Sequence, residues 1–136
     1  MKLRLDTVNF GNYTRTVQKD NVLIKEEFND NDIKIFHEEF DVKKNRFLRQ
    51  DKWDNSGNPI QQWWFEYFEN KKVEHFNTAK EESYIRIITD TVKDNKKIHK
   101  EEFLSKTKPA NNYIHESVKD LGGKLLSFFC NGKKII

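Results

Sequence analysis

His37, Glu39, Arg49 and Asp51 are the residues whose types and spacing come nearest to a chemical site in this chain. They flank Val42-Lys43-Lys44-Asn45-Arg46, one of two occurrences of Val-Lys-x-Asn-basic, the other being Val92-Lys93-Asp94-Asn95-Lys96. A three-residue hairpin loop needs a type I turn followed by one residue of positive φ, and asparagine is the best non-glycine choice there. Both segments therefore read as tight hairpins. With Lys43, Lys44 and Asn45 as the loop, Phe40 faces Leu48, Glu39 faces Arg49 and His37 faces Asp51. Phe36, Phe40, Val42 and Leu48 then share one face, and Ile35, His37, Glu39, Arg49, Asp51 and Trp53 share the other.

That second face permits two kinds of chemistry. Arg49 as a forked donor and Trp53 as a stacking wall would hold a small polar or anionic ligand. His37 paired with Asp51 would move a proton, as a hydrolase or isomerase requires. The plainer reading is the solvated side of a sheet, where alternate positions are normally charged. Register decides between these readings, because a two-residue loop would set Glu38 opposite Arg49 instead.

A second candidate surface is Ile60-Gln61-Gln62-Trp63-Trp64-Phe65-Glu66-Tyr67-Phe68. In a strand, Trp63, Phe65 and Tyr67 point one way and Ile60, Trp64 and Phe68 the other. Such a strand needs cover on both sides, so one aromatic row must meet a pocket, a barrel wall or a partner protein. Trp63, Trp64 and Tyr67 thus join His37, Arg49, Asp51 and Trp53 as the residues expected to bind a ligand or partner.

Other chemistry finds little footing. His37, His75, His99 and His115 lack the paired spacings of zinc sites, and the single cysteine, Cys130, has no partner at ligand spacing and reads as a buried, inert thiol. The chain shows no phosphate-binding glycine loop and no Gly-x-Ser-x-Gly elbow. Glu26, Glu38 and Glu66 sit among apolar neighbours, where a carboxyl could be held neutral for acid or base work. No catalytic residue, metal ligand or cofactor is assigned, and the chain is read as leaning away from an enzyme.

The net charge is +3, with ten lysines against five acids after residue 90 and a slight acidic excess before it. Acids interleave with the bases, so nucleic acid is not the expected partner. Lys43 to Lys52 and Lys93 to Lys108 are the two positive spots, suited to phosphate or to the protection of sheet edges. Met1-Lys2-Leu3-Arg4-Leu5-Asp6 lacks the apolar stretch of a secretion signal, and no apolar run nears the ~20 residues that cross a bilayer. The expectation is a cytoplasmic protein without membrane association.

The elements that must position these residues are mostly strands. Turn-rich clusters recur along the first hundred residues, separated by β-branched and aromatic runs at 21–28, 33–42, 46–53, 59–68, 72–77, 83–92 and 96–104, with Leu3 to Phe10 as an eighth. Ala79-Lys80-Glu81-Glu82 is also a good helix opening, which leaves 79–92 open between strand and helix. After Pro109, the residues Tyr113, Ile114, Val118, Leu121, Leu125 and Phe128 recur at steps of three and four, the mark of an amphipathic helix over about 110–130. The sequence thus predicts one domain, 1–136, that is mainly β with α+β character. Seven or eight strands would form a curved or barrel-like antiparallel meander, with the helix packed on it. The function expected of it is non-enzymatic docking on another protein, as an inhibitor, immunity factor or adaptor. The alternative is a small-molecule binding or sequestering protein with an aromatic-lined pocket inside the sheet.

Overall fold

The computed structural model describes residues 4–9, 11–80 and 82–136. Runs of β-branched and aromatic residues, interrupted by Asn, Asp and Gly, give an antiparallel meander in which each strand pairs with its neighbour in sequence. Its strands are β1 (Arg4–Asn9), β2 (Asn12–Lys19), β3 (Val22–Phe28), β4 (Lys34–Asp41), β5 (Arg46–Trp53), β6 (Pro59–Tyr67), β7 (Lys71–Thr78), β8 (Tyr84–Lys93), β9 (Lys96–Ser105), β10 (Tyr113–Asp120), β11 (Leu125–Cys130) and β12 (Lys133–Lys134). Eleven of these run six to ten residues, and β12 has two. The sheet is not closed, so the barrel-like form expected from the sequence is not found. The seven internal runs emerge as strands with no end moved by more than one residue, and 84–93 is strand throughout. Leu3 and Phe10, the ends of the expected first strand, lie outside the described residues. β2 escaped detection because its alternating Thr14, Arg15, Thr16, Val17 and Gln18 form a polar strand without an aromatic pair.

Both expected asparagines adopt left-handed backbone, with φ of 51° at Asn45 and 61° at Asn95. The loops they close differ from the expected three residues. At the first, Asp41 pairs with Arg46, leaving the four residues 42–45, and Asp41 Oδ1 accepts from the backbone N–H of Lys43 and Lys44. A bulge at Leu48 then moves Phe40 opposite Phe47, not Leu48, and restores Glu39 opposite Arg49 and His37 opposite Asp51. At the second, Lys93 pairs with Lys96, so Asp94 and Asn95 alone make the turn, both at positive φ, as a type I′ hairpin requires.

The expected helix over 110–130 is instead the β10–β11 hairpin, preceded by a single 3-10 turn, Pro109–Asn111. Two glycines in mid-helix would cost about 2 kcal/mol relative to alanine. As a loop they are well placed: Gly123 has φ +92°, its N–H donates to the Asp120 carbonyl, and Asp120 Oδ1 accepts from Lys124 N–H. Asn131-Gly132 is another two-residue hairpin turn, with φ of 52° and 79°.

The chain divides into two compact units, Met1–Phe65 with Phe76–Glu81, and Glu66–His75 with Glu82–Ile136. Among the described residues no apolar side chain is buried. The buried residues are Asn29, Asp51, Glu74, Ser83 and Ser105, all polar. Cys130, expected to be buried, is half-buried opposite His115. Side chains on each unit's strands therefore stabilise it through cross-strand neighbours, at ~0.2–1 kcal/mol per pair, in place of a dry core. In the first unit the loop after β3 is also tied to the loop after β5: Asn29 Nδ2 donates to the Asn55 carbonyl while its Oδ1 accepts from Asn31 and Ile33 N–H.

Candidate functional site

Cross-strand register in the first unit lines up Arg15, Glu26, His37, Asp51 and Gln62 across five strands, with Val17, Ile24, Glu39, Arg49 and Trp64 as the next row on the same face. Charged neighbours on that face pair locally. His37 Nδ1 lies 3.0 Å from Glu26 Oε2 and Nε2 lies 2.7 Å from Glu39 Oε2. Glu26 also holds Lys34. Burial alone would push the Glu26 carboxyl up, but the hydrogen bonds from Lys34 and His37 outweigh it and hold the group below its ordinary value. Both ring nitrogens of His37 are thus occupied by carboxylates.

The expected His37–Asp51 pair does not form, although the two residues face each other in register. Each takes its partner elsewhere. His37 is saturated by Glu26 and Glu39, and Asp51 Oδ2 accepts from Arg49 Nε at 2.7 Å, two positions back on its own strand. Glu39, which faces Arg49 in register, likewise meets His37 instead. Asp51 is 6% exposed, and its Oδ1 is buried with no hydrogen-bond partner. A buried acceptor left unmatched costs about 1–3 kcal/mol. The Arg49 guanidinium, whose proton the Asp51 hydrogen bond holds more firmly, lies 5.2 Å from the centre of the Trp64 ring. Further along this face Tyr13 stacks on Phe28 at 5.0 Å, and Arg15 lies over the same Phe28 ring at 5.5 Å.

The opposite face of this unit carries a different arrangement. Glu38, Gln50 and Gln61 form a hydrogen-bonded row across three strands, Gln50 Nε2 donating to Glu38 and Gln61 Nε2 to Gln50. Beside it Phe47 packs on Trp63 at 4.8 Å and on Phe65 at 5.6 Å, and Trp63 meets Phe76 edge-on at 6.4 Å. Trp63 and Trp64 thus point to opposite faces, as the alternation predicts. Trp53, half-buried, pairs with Pro59 across a bulge two residues beyond Asp51. His37, Arg49, Asp51 and Trp64 share one surface, whereas Trp63 serves the aromatic cluster behind it.

Tyr67 belongs to the second unit, where it lines an open cleft of about 460 Å³ with Phe68, Lys71, Lys72 and Ile88. Sequence reasoning missed this unit's own clusters. Glu74, 2% exposed, forms an ion pair with Arg86 Nη2 at 2.7 Å and accepts from the Tyr84 hydroxyl at 3.3 Å. Arg86 approaches Glu101 at 3.7 Å, and Glu101 accepts from the Tyr113 hydroxyl at 2.7 Å. Burial and that hydrogen bond push the Tyr113 phenol up to about 12. Tyr84, Phe103, Tyr113, His115 and Phe128 continue this face as a row of rings, with successive centres 4.3–5.6 Å apart. The available signal was alternation within Tyr113–Asp120, obscured by the helical spacing of its apolar residues. Nearer the β8–β9 turn, Asp90 Oδ1 lies 2.6 Å from His99 Nδ1.

Among the described residues no group of three or more His, Cys, Asp or Glu side chains is placed to hold a metal ion. No helix among them is long and apolar enough to cross a membrane. Comparison with family models, curated proteins and solved structures found no match for this chain.

Proposed function

We propose that this chain is a non-enzymatic binding module that docks one face of its sheet on a partner protein, in the manner of an inhibitor, immunity factor or adaptor. One observation carries the reading: no described apolar side chain is buried, while aromatic rings line the faces of the strands half-exposed. Apolar surface left in this state gains free energy from cover at about 25 cal/mol per Å². The first-unit face with Arg49 stacked near Trp64, Trp53 close by and the Tyr13–Phe28 pair offers the residue types that dominate protein interfaces, set within charges that confer selectivity. Its Glu26, His37, Glu39, Arg49 and Asp51 side chains each engage a neighbour on the face, which suits a surface for docking better than a site for proton transfer. The alternative, a ligand held inside a curved sheet, draws no support from an open one.

The test is affinity capture from the native host lysate with the wild-type chain, Arg49→Ala and Trp64→Ala, followed by native mass spectrometry. A stoichiometric protein partner retained by wild type and weakened at least tenfold by both variants is expected. Capture of an extracted small molecule without a protein, or a partner indifferent to both substitutions, would refute docking through this face.

A further inference from the structure

The second unit contains an arrangement of like charges that structural needs do not explain. Around the β8–β9 turn Lys93 faces Lys96, and one residue along, on the other face, Lys97 of β9 faces Lys119 of β10. Directly opposed like charges, with Cβ atoms about 5 Å apart, destabilise a sheet. Local conflicts of this kind persist in native sequences chiefly at functional sites. Neither Lys97 nor Lys119 makes an ion pair or hydrogen bond among the described residues.

These two ammonium groups line a cleft of about 690 Å³ with Asn70, Asp90, His99 and Ser117. Register sets Asp90, His99 and Ser117 side by side across β8, β9 and β10, one row from the lysines. Asp90, the one acid in the cleft, is engaged by His99. Two uncompensated cations, a hydroxyl and a carboxamide are left to face an incoming group, and the volume is that of a small-molecule site. We infer that this cleft binds a small phosphate monoester, its dianion held between Lys97 and Lys119 and hydrogen-bonded by Ser117 and Asn70. A carboxylate, with one charge and two oxygens, would leave one lysine unmatched.

The inference is independent of the docking surface and is tested on the full chain by backbone-amide NMR. Phenyl phosphate serves as the probe, with benzoate as the carboxylate control. Saturable shifts confined to residues around Asn70, Lys97, His99, Ser117 and Lys119 are expected, with benzoate at least tenfold weaker. Lys119→Glu should weaken phenyl phosphate at least tenfold and yet raise the melting temperature, because it replaces a like-charge pair with an opposite one. Lys97→Met should weaken the probe similarly without reversing the local charge. Non-saturating shifts that spread to lysines outside the cleft, such as Lys71, Lys108 and Lys133, would overturn the assignment. So would unchanged affinity in both variants, or a lowered melting temperature for Lys119→Glu.

Discussion

Glu26 and Tyr113 show what single side chains gain where cross-strand neighbours replace a core. The Glu26 carboxyl is held below its ordinary value of 4.5, so the folded chain binds that proton less tightly than the unfolded chain. Its contribution to stability is therefore present above the unfolded value and lost as pH falls through the folded one. Urea midpoints measured from pH 7 to 3 should fall on acidification, and Glu26→Gln should flatten the acid limb. Tyr113 behaves oppositely. Its proton is held up to about 12, against 10.0 for an unperturbed phenol, so its contribution is complete below pH 10 and fades as pH rises towards 12. Absorbance titration at 295 nm should show a late-ionising tyrosine that Tyr113→Phe removes. At this scale the sequence exposed positions better than partners. The facing of His37 and Asp51 came out as expected only because a bulge at Leu48 offsets the longer turn, and a register says nothing of whether a carboxylate prefers the arginine two residues away on its own strand.

Hairpins decide the elements, and their turns were the most readable feature of the chain. Asn45 and Asn95 were found through the need for positive φ, whereas Asp120-Leu121-Gly122-Gly123-Lys124 was overlooked because apolar residues on both sides happen to fall at helical steps. Glycine substitutions separate the two readings sharply. Gly123→Ala should cost about 1–2 kcal/mol in urea unfolding, since its φ of +92° is strained for any side chain although space is open around it. Gly122→Ala, without positive φ, should cost less, the new Cβ meeting only Asp120 Oδ1 at 3.3 Å. In a helix both substitutions would instead stabilise by about 1 kcal/mol each. Across β7 and β8, Arg86→Ala should be the more damaging change, about 3 kcal/mol, because it strips the buried Glu74 carboxylate of its guanidinium. That pair was illegible beforehand: Glu74 and Arg86 stand in alternating strands like any charged residues, and only pairing of those strands brings them together.

The predominance of β structure and the antiparallel meander followed from composition and turn spacing. Closure did not, because a strand with rings on both faces, such as Trp63 and Trp64, reads as one enclosed between layers. Here the rings find cover in one another, Phe47, Trp63, Phe65 and Phe76 clustering on one face and Trp64 lying against Arg49 on the other. Surface of this kind stays half-exposed until something is laid over it, which is why docking follows from the fold more naturally than catalysis. The isolated chain offers a direct reading of that state in its three tryptophans, Trp53, Trp63 and Trp64. Acrylamide quenching of their fluorescence at low protein concentration should give a linear Stern–Volmer plot with one accessible population, which partner binding then divides. A shielded fraction in the free, dilute chain would contradict it, since it would mean that these faces are already covered.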